Sequence, residues 1–102
     1  MTLQEIRDVI LSVDASATHY EAPDGATTYT VWMEYRKSSF ALDDAHQGGW
    51  KFMLYRVTDV EYDPLVDQLE SALDEAEITW NHSVSFNTES KLITHSFDCE
   101  AW

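Results

Sequence analysis

An α+β fold is predicted for this chain: a mainly antiparallel sheet of four to five strands packed against two helices, in the order α-β-β-β-α-β-β. Three observations predict it. Two segments carry apolar residues at helical spacing behind their own start signals, four carry side chains that alternate as a strand requires, and the order holds too few βαβ crossovers for a doubly wound sheet. With 102 residues, the expectation is one domain spanning 1–102 around a single core.

The first helix is read over 2–12, where Leu3, Ile6, Val9, Ile10 and Val13 recur on one side. Thr2 and Glu5 make the Thr-x-x-Glu capping box that satisfies free amides at a helix start. A short extended piece near Thr18–Tyr20 precedes the turn Ala22-Pro23-Asp24-Gly25. Residues 28–36 alternate, with Tyr29, Val31, Met33 and Tyr35 opposite Thr30, Trp32, Glu34 and Arg36. Residues 50–58 are apolar on both sides, Trp50, Phe52 and Leu54 against Met53, Tyr55 and Val57. That pattern predicts a central strand covered on both faces. Between them lies KSSFALDDAHQGG, Lys37 to Gly49, read as a long loop with a flexible Gly48-Gly49 end and an apolar insert. Asp63 as cap and Pro64 at the first helical position open the second helix, whose apolar stripe is Leu65, Leu69, Ala72, Leu73 and Ala76. Residues 78–86 and 92–101 alternate cleanly and read as a hairpin turning at 87–90.

Nineteen acidic residues against six basic ones give a formal net charge of -13. Such a field repels phosphate backbones and anionic membrane surfaces, so neither specific nucleic-acid binding nor a membrane partner is expected. Aromatic residues make up 13% of the chain, enough apolar area for a packed core despite the charge. A single cysteine, Cys99, cannot form an intramolecular disulfide, and the first residues lack the features of a secretory signal, so a reducing compartment is expected. The acids Asp67, Glu70, Asp74, Glu75 and Glu77 gather on the second helix with no Lys or Arg among them. In the last turn such charges oppose the macrodipole, so this acidic face is a candidate contact surface.

No catalytic motif is present, and the expectation is a protein without enzymatic activity, cofactor or metal. If the final hairpin pairs Phe86 with Lys91, Trp80 faces Phe97, Val84 faces Ile93, and His82 faces His95 on the same side. Two histidines alone fall short of the three protein ligands a zinc site needs, so a packed pair is the expectation. The run Asp59, Glu61, Asp63, Asp67, Glu70 has loosely calcium-like spacing, but Pro64 stands where that loop requires glycine. Cys99 reads as a buried structural thiol.

Taken in order, the chain resembles the small tail completion or tail terminator proteins of long, non-contractile-tailed bacteriophages. The residues that carry the resemblance are the N-terminal helix, the turn at 22–25 and the strand Tyr29 to Tyr35. It continues through the segment with Asp43-Asp44 and the helix from Tyr62 to Leu73 to the closing run Glu89 to Phe97. It implies a homo-oligomeric ring, usually a hexamer, that caps the tail tube and meets the tube protein and the head connector protein, without catalysis. It also implies location in the virion tail, and in the host cytoplasm during assembly. Phe40, Ala41, Leu42, Asp43 and Asp44 are then the expected oligomer or partner contacts. The high acidity and Trp-rich strands depart from the family pattern. The competing expectation is an acidic inhibitor or immunity protein of the DNA-mimic type, its acidic helix plugging a basic nuclease or DNA-binding protein.

Overall fold

The computed structural model describes the backbone of residues 1–42 and 45–102, and the side chains of all of these except residues 39–47. Helix α1 (Leu3–Val13) begins as its capping box dictates: the Glu5 amide donates to Thr2 Oγ1 at 3.1 Å, and the Thr2 amide donates to Glu5 at 3.0 Å. After β1 (Thr18–His19) come two long strands, β2 (Tyr29–Leu42) and β3 (Ala45–Thr58). Helix α2 (Pro64–Glu75) follows, and the chain closes with β4 (Thr79–Asn87) and β5 (Leu92–Ala101). Asp63 caps α2 by accepting from the Leu65 amide. A Schellman motif ends it, with Ile78 N–H donating to Leu73 C=O, Glu77 N–H to Asp74 C=O, and Glu77 at φ 59. No helix among the described residues is long and apolar enough to cross a membrane.

The sheet order is β1-β2-β3-β5-β4; every neighbouring pair is antiparallel except β1 with β2. Cross-strand partners share a face, and the pairs Trp32↔Leu54, Leu54↔Phe97 and Phe52↔Cys99 place the large core side chains on one of them. Both helices lie there. Ile6 and Ile10 of α1, with Val66, Leu69 and Leu73 of α2, complete the buried cluster. Val66 thus belongs to a helical stripe from which the spacing omitted it. The central place of residues 50–58 agrees with expectation, but the helices cover one face only. The other carries Tyr29, Val31, Met33, Met53, Tyr55 and Val57 on β2 and β3, then Thr94, Ser96 and Asp98 on β5.

Two expectations need correction. The segment 37–49 is not a loop: Lys37↔Trp50 through Leu42↔Ala45 pair in register, extending β2 and β3 beyond the rest of the sheet. Fourteen residues at about 3.3 Å each span about 46 Å, which accounts for extents of 53 × 23 × 23 Å. Nor does the Gly48-Gly49 pair serve as a flexible end. Gly49 is a buried strand residue, and a Cβ there would stand 2.5–2.8 Å from the Trp102 ring. The second correction concerns the last hairpin, which pairs Phe86 with Ile93, Val84 with His95 and His82 with Phe97. Its register therefore differs by two residues from the expected one. The turn decides this: Asn87 accepts from the Glu89 and Ser90 amides, Lys91 N–H donates to Asn87 C=O at 2.8 Å, and Lys91 adopts φ 63.

Candidate functional site

Two features stand out from the packed body: the arm formed by the outer parts of β2 and β3, and the polar layer that ties α2 to the sheet. From Ser38↔Gly49 to Leu42↔Ala45 the arm's strands pair only with each other among the described residues, because β5 ends at Ala101↔Trp50. A bulge at Tyr35 precedes it, where Glu34↔Phe52 is followed by Arg36↔Lys51. The inserted residue moves the alternation by one, so Lys37, not Arg36, shares a face with Trp50; its Nζ sits 5.2 Å from that ring. Arg36, Lys37 and Lys51, three of the six Lys and Arg residues of the chain, thus meet at the arm's base. Phe40, Ala41 and Leu42 lie on the β2 side of the arm, opposite Gln47, His46 and Ala45. Asp43 and Asp44 lie outside the described residues.

The acids of α2 are not one free stripe. Glu70 accepts from His82 Nδ1 at 2.9 Å, and Asp74 accepts from Trp80 Nε1 at 2.9 Å, so two of them fasten the helix to β4. Asp67, Glu75 and Glu77 remain exposed. A phosphate mimic needs its charges presented together, and this arrangement uses two of five internally.

Below Glu70 a chain of hydrogen bonds runs inward, His82 Nε2 lying 2.9 Å from His95 Nδ1. The two-residue register shift makes these rings diagonal neighbours instead of direct partners. His82 stacks on Phe97 at 4.4 Å. An ionised Glu70 only accepts, so a neutral His82 carries its proton on Nδ1 and receives the proton of His95 Nδ1 at Nε2. His95 Nε2 is then a bare acceptor, and this buried atom has no hydrogen-bond partner among the described residues. Burial first, and then the positive charge that His82 would carry on protonation, lower the His95 pKa below the ordinary histidine value, against the opposing carboxylates of Asp63 and Glu70. A second proton on Nε2 would be a buried donor without an acceptor.

The consequence for stability has a definite sign. Since the folded-state pKa is depressed, the contribution is whole above the unfolded value of about 6.5 and is lost as pH falls through the folded one. Acidification also relieves repulsion among surface carboxylates, so the difference between variants is the readout. His95→Asn, which cannot titrate, is expected to lose less stability than wild type between about pH 7 and pH 5 in urea titrations. Parallel profiles would refute this.

The cleft beside these histidines, lined by Glu61, Tyr62, Asp63, Val66, Asp67 and Glu70, measures about 250 Å³, below the about 300–1,000 Å³ of typical small-molecule sites. Among the described residues, no cluster of three or more His, Cys, Asp or Glu side chains could hold a metal ion. Burial, and then the charge of Asp98, push the Cys99 thiol up to about 12, so it stays protonated.

Comparison with solved structures adds one observation. The fold is similar to that of a chain in the virion of a native gene transfer agent particle. The TM-score is 0.61 over 96% of this chain and 87% of the other, at 12% sequence identity, so the likeness is one of fold. No protein-family model and no curated protein matches the sequence.

The arm was hidden from sequence reasoning because its strands extend past the core and lack apolar alternation. Two signals pointed to the His82–Glu70 contact: alternation put His82 on the core side, and helical spacing put Glu70 on α2. Nothing local linked them.

Proposed function

We propose that this chain is a structural virion protein that assembles as a ring, closes the end of a phage-type tail tube and joins it to the head, without catalysing a reaction. The single observation that carries the reading is the β2–β3 arm, a two-stranded projection whose strands pair only with each other among the described residues, on a fold similar to that of a virion chain. A hairpin that leaves the body in this way has area to bury only against another molecule. Charge supports a head-to-tail arrangement, since the arm's base gathers Arg36, Lys37 and Lys51 while α2 exposes Asp67, Glu75 and Glu77. Unlike surfaces on one subunit make heterologous contacts, and heterologous contacts close rings. In this reading Phe40 and Leu42 are the arm's apolar anchors, and the excess negative charge lets DNA pass the ring without adhering.

Native mass measurement tests the proposal. Rings are expected to grow more abundant as salt screens the repulsion between subunits of net charge -13. Deletion of residues 40–44 leaves Ala45, His46 and Gln47 to close a shorter hairpin. It is expected to abolish the ring, and attachment to tail tubes, while the circular dichroism of the body is unchanged. Rings that persist in the deletion variant, or that dissociate as salt is added, would contradict the assignment.

A further inference from the structure

Strand β4 is an edge of the sheet, paired only with β5 among the described residues. Its nine residues, Thr-Trp-Asn-His-Ser-Val-Ser-Phe-Asn, include no Asp, Glu, Lys, Arg or Pro, and its register with β5 runs without a bulge. Exposed edges are ordinarily guarded by charge, proline or a bulge, because a row of unpaired N–H and C=O groups is a template for another strand. Strand β2, near the other edge, has such guards in Arg36, Lys37 and the bulge at Tyr35. In a chain of net charge -13, a neutral nine-residue edge is the exception. Val84 and Phe86 lie on it 59% and 55% exposed, on the face that elsewhere forms the core.

We propose that β4 pairs antiparallel with β4 of a second copy of this chain, about a two-fold axis at Ser83, joining two five-stranded sheets into one of ten. Three properties select a second copy as the occupant. Antiparallel partners must share a face, and a two-fold axis at Ser83 meets that condition while pairing all nine residues, Thr79 through Asn87. Side chains are then complementary on both faces. Trp80 lies opposite Phe86 of the partner subunit and His82 opposite Val84 of the partner subunit, covering the two exposed apolar groups. On the other face, Asn81 meets Ser85 of the partner subunit and Ser83 meets its own equivalent. Finally, the seam carries no formal charge, so it is a line along which two strongly acidic chains can approach.

The guard missing from the strand is supplied by the helix above it. Glu70 and Asp74, hydrogen-bonded to His82 and Trp80, hold the acidic α2 over β4. Pairing brings the two α2 helices side by side on one face of the joined sheet, where their carboxylates repel. Screening shortens from about 8 Å at physiological ionic strength to about 3 Å at 1 M. The edge is therefore closed by electrostatics at low salt and open to its twin at high salt.

Site-specific cross-linking tests both register and salt dependence. Ser83 and Ser85 are exposed on the same face of β4, so Ser83→Cys and Ser85→Cys are compatible with the fold, and the native thiol, Cys99, is buried. Direct antiparallel partners have Cα atoms about 4.5–5.5 Å apart, inside the about 4.4–6.8 Å range of disulfides. Under mild oxidant, Ser83→Cys is expected to form covalent dimer at least about tenfold more in 2 M than in 0.1 M NaCl, and about tenfold more than Ser85→Cys in 2 M NaCl. In sedimentation at high salt, Val84→Lys weakens dimerisation about tenfold. A monomer at every salt concentration, or equal cross-linking of the two cysteine variants, overturns the proposal. Rings of wild-type mass in which Ser83→Cys does not cross-link also overturn it, while leaving the ring assembly proposed above standing. So does protection of β4 by a different protein without self-cross-linking.

Discussion

Replacing Arg56 with alanine is expected to remove about 3–5 kcal/mol of folding stability, a large fraction of the about 5–15 kcal/mol that holds a domain of this size together. Arg56 rises from β3 beneath both helices. Its Nε donates to Asp63 at 2.9 Å, its Nη1 donates to Thr30 at 3.2 Å, and Asp14 lies 3.5 Å away. Asp14 ends α1 and Asp63 begins α2, so one guanidinium holds a terminus of each helix to the sheet. The three side chains are 12%, 12% and 7% exposed for Arg56, Asp14 and Asp63. The alanine variant leaves two carboxylates poorly solvated and without their cation, and this is where the large cost arises. For both carboxylates burial is the largest influence and raises the pKa, yet their partners outweigh it. Ser16, Thr30 and Arg56 keep Asp14 low, and the Leu65 amide, Arg56 and Thr58 keep Asp63 low. Depressed folded values make this stability present above the unfolded pKa of about 3.9 and lost as pH falls through the folded ones. The stability gap between wild type and Arg56→Ala, followed by urea unfolding, is thus expected to narrow below about pH 4. A gap under about 1 kcal/mol at neutral pH, typical of a surface ion pair, would show that the clamp is not formed.

Phe97→Ala carries the second large effect, about 3–5 kcal/mol. Phe97 is fully buried, lies opposite Leu54 on one side and His82 on the other, meets Trp80 edge-on at 5.8 Å and stacks on His82. Truncation opens a cavity beneath α2 and removes the surface that orients His82 toward both Glu70 and His95. The urea midpoint should fall accordingly, and the His82 and His95 ring resonances should lose their distinct environments. Tyr62→Ala, at a position 86% exposed, serves as the control and should change stability by less than about 0.5 kcal/mol. Comparable losses in both variants would show that the helices do not pack on this face as described.

Much of the fold was legible because the signals that start and stop its elements are local. Thr2 with Glu5, and Asp63 with Pro64, act within one helical turn, so their capping bonds follow from adjacent residues. Alternation in β4 and β5 reports which face is buried, and both strands lie where it placed them. The same principle explains the failures. Periodicity detects burial, not backbone pairing, so the arm, projecting and without apolar alternation, reads as a loop although its strand pairing continues. A slip of two residues leaves every side chain on its own face, so alternation cannot distinguish Phe86↔Lys91 from Phe86↔Ile93. The backbone geometry of Asn87 to Lys91 decides between them.

By itself the sequence determined the class of fold, the two helices with their caps, the parity of the final hairpin and the acidity that any partner must meet. These depend on residues within a few positions of one another or on simple sums. Only the tertiary structure decided that Arg56 joins Asp14 to Asp63, that Glu70, His82 and His95 form one chain, that a bulge at Tyr35 turns Lys37 onto Trp50, and that β4 is an edge. Each of these is a relation between segments separated by turns, and side-chain periodicity carries no information about which strand becomes the neighbour of which.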